Sequence, residues 1–315
     1  MVRRSGYDVR GKKAIILGAG GVSPTVCAVL EDLGASPVVV ISHKDNTPQT
    51  LALHSDTVVL VNTSPVGMYP NNGTSPIESL AVFPKLECVL DLIYNPFETV
   101  LLADARKRGC VTESGISMLV AQAKRGAELF TGRTLDDALN ARVTAEMIAS
   151  RRNLILIGMP GCGKSSVGKL LADKLGRKLV DIDTEIVKAA GKLIPDIFAQ
   201  DGENAFRQIE HEVLCRVCAG SSLVIATGGG CVTRPENYRP MAQNGLLIWI
   251  RRDIDALPIA GRPLSQKHTP AALYVQRKPL YAQFADAAVD NTGTVADTAE
   301  QVLTAFHTIP NTTRT

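Results

Sequence analysis

Short apolar runs and helical stretches alternate along this chain. In the first half, Lys13 leads into an apolar run that ends at Leu17, residues 38–41 form a second run, and the stretch between them fits a helix. In the second half, the apolar run 154–157 is followed from Val167 by apolar positions at helical spacing. Continuous apolar runs are typical of strands buried on both faces. Their alternation with helices predicts an α/β fold with parallel sheets.

The chain is long enough for two domains. Its 315 residues and a hydrophobic content of 45% provide for two separate cores. A helix is predicted over 135–150, and Arg151 and Arg152 follow it without a Gly-, Pro- or Ser-rich linker. We therefore predict two three-layer α/β domains, 1–150 and 151–315, joined directly by that helix.

The second predicted domain opens with a strand, a glycine loop and a helix. Gly158, Gly163, Lys164 and Ser165 fit the pattern G-x-x-x-x-G-K-[ST], and this frame favours a phosphate-binding loop over an ordinary strand-to-helix turn. In such a loop, backbone N–H groups surround phosphate oxygens, the lysine reaches the β- and γ-phosphates, and the serine hydroxyl ligates Mg²⁺. The predicted ATP-binding residues are Gly161, Cys162, Gly163, Lys164, Ser165 and Ser166.

Two carboxylates follow soon after this loop. Asp181 and Asp183 stand within a run over 178–186 that fits a strand, so their side chains are expected on one face of it. At the carboxyl end of a parallel strand, such a pair lies beside the phosphate loop. One carboxylate can then help to hold hydrated Mg²⁺, and the other can contact a hydroxyl group. A solvated strand end is the alternative explanation.

An acid–base pair and a glycine triplet come next. Arg207 and Glu210 are three residues apart on a predicted helix, a spacing that a surface salt bridge usually explains. Residues 228–230 are three consecutive glycines after a predicted strand. Three glycines in a row cost conformational entropy on folding, so we expect a ligand to approach the bare backbone there.

The order of these motifs resembles the shikimate kinase family. Asp183, Arg207 and the glycine triplet are followed by Gly-Arg-Pro-Leu at 261–264 and by Arg-Lys-Pro-Leu-Tyr at 277–281. The resemblance covers about 153–289. It implies a P-loop kinase domain with a parallel sheet, which transfers the γ-phosphoryl group of ATP to the 3-hydroxyl of shikimate. The products would be ADP and 3-phosphoshikimate, in aromatic amino-acid biosynthesis.

The resemblance also implies a role for each matching position. Those roles are catalysis by Lys164, Asp183 and Arg262, substrate binding by Asp183, Arg207, Gly229 and Arg277, ATP contact by Arg262, and Mg²⁺ coordination by Ser165 and Asp181. One departure precedes the lid arginine, Arg262. Only residues 251–261 separate Ile250 from it, a shorter stretch than the family pattern has. We therefore expect nucleotide affinity or selectivity to differ.

The first half has a glycine loop of its own. Gly18, Gly20 and Gly21 follow a predicted strand and precede a helix, as in a Rossmann-like β-α-β unit, but Ser23 replaces the third glycine of the fingerprint. Lys44 follows the second strand, where an acidic residue would otherwise hold a ribose hydroxyl. It either meets the 2′-phosphate of NADP or is a solvated loop lysine.

Three further segments, 61–70, 91–99 and 115–123, together with that loop resemble the NADP-binding half of shikimate dehydrogenase. The resemblance covers about 12–134. It implies a truncated Rossmann-like domain that binds NADP through Gly18, Gly20, Gly21 and Lys44. It also implies that Tyr94 and Gln122 contribute to a substrate site.

The substrate-binding half of that dehydrogenase family has no counterpart in this sequence. Hydride transfer needs both reactants at contact distance, so we expect little or no dehydrogenase activity from the chain by itself. Two alternatives to a plain kinase remain. One is a bifunctional dehydrogenase–kinase that needs a separate substrate domain, and the other is a non-catalytic nucleotide-binding fusion. The intact kinase positions argue against the second alternative.

Charge and cysteine content add little further function. A net charge of +3 gives no reason to expect nucleic acid or a membrane surface as a partner. No apolar run has the length of a bilayer span or the form of a signal peptide. The seven scattered cysteines suggest reduced thiols in the cytoplasm. Cys215 and Cys218 form a single C-x-x-C in a helical pattern, so zinc is not expected.

Overall fold

A computed structural model describes residues 1–257 and 269–309. The chain divides into two compact units between Met147 and Ile148. Each unit contains a five-stranded sheet in which every paired neighbour is parallel. The predicted α/β fold with parallel sheets is confirmed. None of the helices within the described ranges is long and apolar enough to cross a bilayer.

The first unit is built on a sheet with the strand order β2-β1-β3-β4-β5. Its strands are β1 Ala14–Leu17, β2 Val38–Ile41, β3 Val59–Asn62, β4 Cys88–Asp91 and β5 Val111–Ser114. Every residue of β1 is buried, as its apolar run predicts, and so is every residue of β3 and β4, whereas β2 at the edge of the sheet is only partly buried. The helices are Val2–Ser5, Ser23–Asp32, Pro48–Ala52, Val100–Lys107, Ile116–Thr131 and Ala138–Arg151, the last of which crosses the division between the units.

A buried carboxylate organises the ends of two central strands in this unit. Asp91, the last residue of β4, is fully buried. Its carboxylate accepts hydrogen bonds from Asn62 Nδ2 at 3.0 Å, the Ile93 N–H at 3.1 Å and the Thr99 hydroxyl at 2.7 Å. Thr99 also caps the helix Val100–Lys107. Burial outweighs these three donors and raises the pKa of Asp91 from 3.8 to about 6.

This shift predicts a pH-dependent stability of the first unit. The folded-state pKa of Asp91 lies above its unfolded value, so the folded state binds the carboxyl proton more tightly than the unfolded state does. The contribution of this proton to the free energy of unfolding is complete below pH 3.8 and is lost as the pH rises through about 6. The loss is ~3 kcal/mol as an upper bound. Calorimetry of the full chain at several pH values should therefore show a flatter pH dependence in Asp91→Asn than in the wild type. An unchanged profile would contradict the shift, and exposed Asp32→Asn serves as the control.

The second unit has the strand order β10-β9-β6-β8-β7. Its strands are β6 Asn153–Ile157, β7 Lys178–Asp181, β8 Leu223–Ala226, β9 Gly245–Arg251 and β10 Ala287–Asp290. The described helices are Lys164–Leu175, Ile182–Ala190, Ile194–Gln200, Gly202–Cys218, Tyr238–Asn244, Pro270–Phe284 and Val295–Thr308.

The central strand β6 determines where a ligand can bind in this unit. All five of its residues are buried, and it pairs with β8 on one side and β9 on the other. The order of strands along the chain reverses at β6. In open α/β sheets, ligands bind in the crevice beyond the carboxyl ends of strands at such a point. The predicted phosphate loop follows β6 directly.

Candidate active site

The backbone of the loop between β6 and the helix Lys164–Leu175 is constrained by a glycine conformation and by a side-chain hydrogen bond. Gly163, the residue before the helix, has a φ of 105°, which L-residues with a side chain rarely adopt. A Cβ atom there would lie 2.5 Å from Asn291 Nδ2. That amide donates a hydrogen bond of 2.8 Å to the carbonyl of Cys162. Asn291, which follows β10, therefore braces the loop from a neighbouring strand end.

Lys164 places its amino group inside the loop. The side chain begins the helix and is buried. Its Nζ donates to the carbonyl oxygens of Gly158 at 2.8 Å and Met159 at 2.9 Å. The positive charge thus lies at a helix N-terminus, where the unpaired N–H groups and the helix dipole already favour anions.

Ser165 and Asp181 form a second pair beside the loop. The Ser165 hydroxyl donates to Asp181 Oδ2 at 2.9 Å, while Oδ1 accepts from the N–H of Thr184 at 3.2 Å. The prediction of a strand over 178–186 is wrong. β7 ends at Asp181, because this aspartate caps the helix Ile182–Ala190. Asp183 consequently lies in the first turn of a helix rather than on a strand.

This pair fits a hydrated magnesium ion. A hydroxyl and a carboxylate within hydrogen-bond distance offer the oxygen ligands that Mg²⁺ prefers. Within the described ranges there is no group of three or more His, Cys, Asp or Glu that would form a complete protein site. A magnesium ion held by this pair would take its other ligands from phosphate oxygens and waters, as is usual for Mg²⁺ at phosphate sites.

An arginine and a buried glutamate form one wall of the adjoining cavity. Both lie on the helix Gly202–Cys218. Arg207 donates from Nη1 to Glu210 Oε2 at 2.7 Å and from Nη2 to Glu203 Oε1 at 3.2 Å. Glu210 is fully buried, so the surface salt bridge that the spacing suggested is wrong. Burial raises the pKa of Glu210, although Arg207 opposes the shift. Its Oε1 has no hydrogen-bond partner among the described residues.

The glycine triplet 228–230 lies against this wall. A Cβ on Gly228 would be 2.9 Å from both Asp183 Oδ1 and Glu210 Oε1. A Cβ on Gly230 would overlap the guanidinium of Arg207. The two carboxylates and the guanidinium therefore pack on bare backbone, and a side chain on the triplet would displace them.

Arg277 and Tyr281 contact the middle glycine of the triplet. Both come from the helix Pro270–Phe284 and are buried. Arg277 Nη1 donates to the Gly229 carbonyl at 3.2 Å, and the Tyr281 hydroxyl donates to the same oxygen. Arg277 Nε has no hydrogen-bond partner among the described residues. Burial raises the pKa of Tyr281, so its hydroxyl remains a donor.

One cavity of about 450 Å³ connects these groups. It brings together most of the predicted kinase-site residues, which are Gly161, Gly163, Lys164, Ser165, Ser166, Asp181, Asp183, Arg207, Gly229 and Arg277. Cys162 is a residue of the loop, but it is fully buried and does not line the cavity. Arg262 and the last four residues of the shortened stretch before it, 258–261, fall outside the described residues.

Sequence reasoning missed several residues of this cavity. Arg252, just after β9, lines it and donates to the Gly161 carbonyl at 3.5 Å. No motif pointed to it. Glu210 was noticed only as a pairing partner for Arg207. The remaining missed residues are the polar Thr227 and a group of apolar residues, namely Pro160, Ile194, Pro195, Phe198, Phe206 and Leu273.

The predicted NADP positions lie at the carboxyl ends of β1 and β2. Gly18 lies against Thr63, whose Oγ1 donates to the Gly18 carbonyl at 3.0 Å. Gly20 and Gly21 are exposed, with open space where a Cβ would stand. The remaining positions of that prediction, Lys44, Tyr94 and Gln122, are exposed as well. Their roles stay predictions.

Comparison with known proteins agrees with the chemistry of the second unit. A family model described as shikimate kinase matches residues 160–307. The shikimate kinase of Synechococcus elongatus is 48% identical over 140 residues, which cover 42% of this chain and 73% of that protein. The chain belongs to the shikimate kinase family. This confirms the family predicted from the order of the motifs, and with it the expectation of an ATP-dependent kinase.

Solved structures resemble the chain in two places. A shikimate kinase from Acinetobacter baumannii in complex with shikimate is 32% identical, with a TM-score of 0.49, and the match covers 54% of this chain and 99% of that one. Over the N-terminal half, shikimate dehydrogenase 1 from Peptoclostridium difficile is 32% identical, with a TM-score of 0.43. The latter match covers 47% of this chain and 58% of the dehydrogenase.

Proposed function

We propose that this chain transfers the γ-phosphoryl group of ATP to the 3-hydroxyl of shikimate, giving ADP and 3-phosphoshikimate. One observation carries the proposal. A single cavity of about 450 Å³ joins a phosphate-binding loop to a wall with two arginines and an aspartate. The loop suits a nucleoside triphosphate, and the wall suits a small hydroxylated carboxylate.

The nucleotide side supplies positive charge and backbone donors. The N–H groups of the loop and the helix N-terminus would surround the phosphates, with Lys164 exchanging its two carbonyl acceptors for phosphate oxygens. Ser165 and Asp181 would hold Mg²⁺, which neutralises phosphate charge when bound. Arg262 remains an expected ATP contact.

The acceptor side supplies orientation. Arg207 and Arg277 both lie beside the glycine triplet, and guanidinium groups match a planar carboxylate with two parallel hydrogen bonds. Arg277 still has an unpartnered Nε to donate. Asp183 lines the same cavity as Lys164, so it can receive the proton of the attacking hydroxyl while that oxygen faces the γ-phosphate.

A coupled assay of ADP release by the purified full chain tests this function. We expect ADP release to require both Mg²⁺ and shikimate. The amide of shikimate, which keeps the hydroxyls but lacks the carboxylate charge, should be a far poorer acceptor because the two arginines recognise an anion. ADP release that is the same with and without shikimate would contradict the proposal.

NADP binding by Gly18, Gly20, Gly21 and Lys44 stays a proposal for the first unit. The exposed glycine backbone after β1 supports it. Dehydrogenase activity would additionally require a substrate-binding domain.

A further inference from the structure

Three side chains form a hydrogen-bonded series that does not line the cavity of the candidate active site. Cys215 and His211 lie one turn apart on the helix Gly202–Cys218. Cys215 Sγ is 3.6 Å from His211 Nε2, and His211 Nδ1 is 2.7 Å from Asn237 Oδ1. A cysteine, a histidine and an orienting amide in this order are the parts of an activated thiol.

The hydrogen bonds determine which ring nitrogen carries the proton. Asn237 is fully buried, and its Nδ2 donates to the Cys231 carbonyl at 2.8 Å, so Oδ1 faces His211. A carbonyl oxygen only accepts, and Nδ1 must therefore be the protonated nitrogen. In the neutral ring this leaves Nε2 as a bare acceptor toward the Cys215 thiol. The imidazole can thus take the thiol proton when the sulfur reacts.

Accessibility distinguishes Cys215 from most other cysteines of the chain. Only Cys215 and Cys27 are partly exposed, whereas the remaining thiols are buried: Cys88, Cys110, Cys162, Cys218 and Cys231. Cys27 Sγ lies 3.5 Å from the carboxylate of Glu31, whose charge disfavours a thiolate. Cys27 therefore resembles Cys215 in exposure, but its neighbour is an anionic carboxylate and not a neutral imidazole.

Burial keeps the Cys215 thiol protonated until a base acts. It raises the pKa of Cys215, while the nearby charges oppose each other, since Arg234 lowers the pKa and Glu212 raises it. A thiol in this setting needs a general base at the moment of reaction. His211 Nε2 is positioned to be that base.

We propose that Cys215 is a base-assisted modification site for small disulfides, and that an adduct on it weakens binding of the acceptor substrate in the kinase site. In the reaction, Cys215 sulfur attacks one sulfur of the disulfide. A new S–S bond forms, the original S–S bond breaks, and the other half leaves as a thiolate. The proton of Cys215 passes to His211 Nε2 and then to the solvent or the leaving thiolate. Cys215 is oxidised, and half of the reagent is reduced.

The coupling to the kinase site runs through described contacts. His211 follows Glu210 directly, on the helix that also carries Arg207. On its other side, His211 bonds Asn237, which holds the Cys231 carbonyl immediately after the glycine triplet. An adduct that moves the imidazole would therefore disturb both the helix that carries Arg207 and the glycine triplet, which line the cavity where the acceptor substrate would bind. This part of the inference rests on the proposed function.

The test measures thiol reactivity and kinase activity in the same full-length protein. The folded chain is treated with dithiobis-nitrobenzoate, and release of the coloured thiolate is followed over time. We expect one fast thiol in the wild type and in Cys27→Ser, and none in Cys215→Ser. His211→Gln should slow the fast reaction by about 10²-fold, the effect of a positioned general base. In parallel, modification should raise the KM for shikimate roughly tenfold, reversibly with dithiothreitol, and have no effect in Cys215→Ser.

The two measurements can contradict the two parts of the proposal independently. A fast thiol that persists in Cys215→Ser, or an unchanged rate in His211→Gln, would overturn the modification site whether or not the chain is a kinase. A modified Cys215 with an unchanged KM for shikimate would overturn the coupling alone. If the unmodified chain released no ADP at all, the proposed function would fail, while the labelling rates would still decide the chemistry of Cys215.

Discussion

Asp183→Asn is expected to lower the kcat of shikimate-dependent ADP release by roughly 10²-fold or more, the range typical of a proton-transfer and positioning group. Asparagine keeps the size of the side chain but cannot take up the proton of the attacking hydroxyl. Asp183 Oδ1 faces Gly228 inside the cavity, so the substitution acts where acceptor and phosphate would meet. Steady-state rates with saturating ATP and shikimate provide the measurement.

Glu185→Gln is the matched control for this variant. Glu185 lies two residues further along the same helix, where it pairs with Lys188 at 2.8 Å and Arg216 at 3.3 Å, and it does not line the cavity. The substitution removes these two ion pairs, whose cations are exposed and whose energies are therefore small, so the kcat should stay near the wild-type value. An Asp183→Asn enzyme with full kcat would mean that Asp183 does not handle the acceptor proton.

Arg277→Met is expected to raise the KM for shikimate by about 10- to 100-fold, the equivalent of one or two lost hydrogen bonds to a charged group. The kcat should change much less, because the arginine holds the carboxylate in the ground state and the transition state alike. Methionine retains the apolar stem that packs among buried residues. Initial rates over a range of shikimate concentrations separate the two constants.

Lys278→Met serves as the control, since it removes a positive charge from the next residue, which is exposed. Its KM should match that of the wild type. If Arg277→Met lowered kcat and left KM unchanged, the arginine would act on the transferred phosphoryl group instead of the substrate carboxylate. Thermal unfolding of both variants shows whether the buried substitution disturbs the fold.

The phosphate loop could be predicted because its chemistry is local. The apolar run of β6, the glycine spacing and the helix stripe are adjacent in sequence, and each is a requirement of the same turn. The position of Asp183 was harder to predict. The segment after Val180 fits a strand by composition, but the Asp181 carboxylate satisfies a free N–H at the start of a helix. A single capping hydrogen bond decides where β7 ends.

The features of the site that could not be predicted depend on burial and on the order of the strands in the sheet. Arg207 and Glu210 have the spacing of a surface pair, but Glu210 is fully buried, with the glycine triplet after β8 packed against it. Arg252 and Asn291 reach the phosphate loop because β9 pairs with β6 and β10 pairs with β9. Nothing local in the sequence states which strands become neighbours.

The hydrogen bonds of Lys164 have a consequence for the choice of nucleotide. Its amino group already has two acceptors, the carbonyl oxygens of Gly158 and Met159. A nucleotide gains from this lysine only if it brings oxygen atoms that replace those carbonyls, and the replacement must occur at the depth of the β- and γ-phosphates. Adenosine and AMP bring no such oxygens and leave the lysine bonded to its own loop. If the proposed function holds, we expect the loop to discriminate among nucleotides by the number of their phosphate groups, independently of any contact with the base.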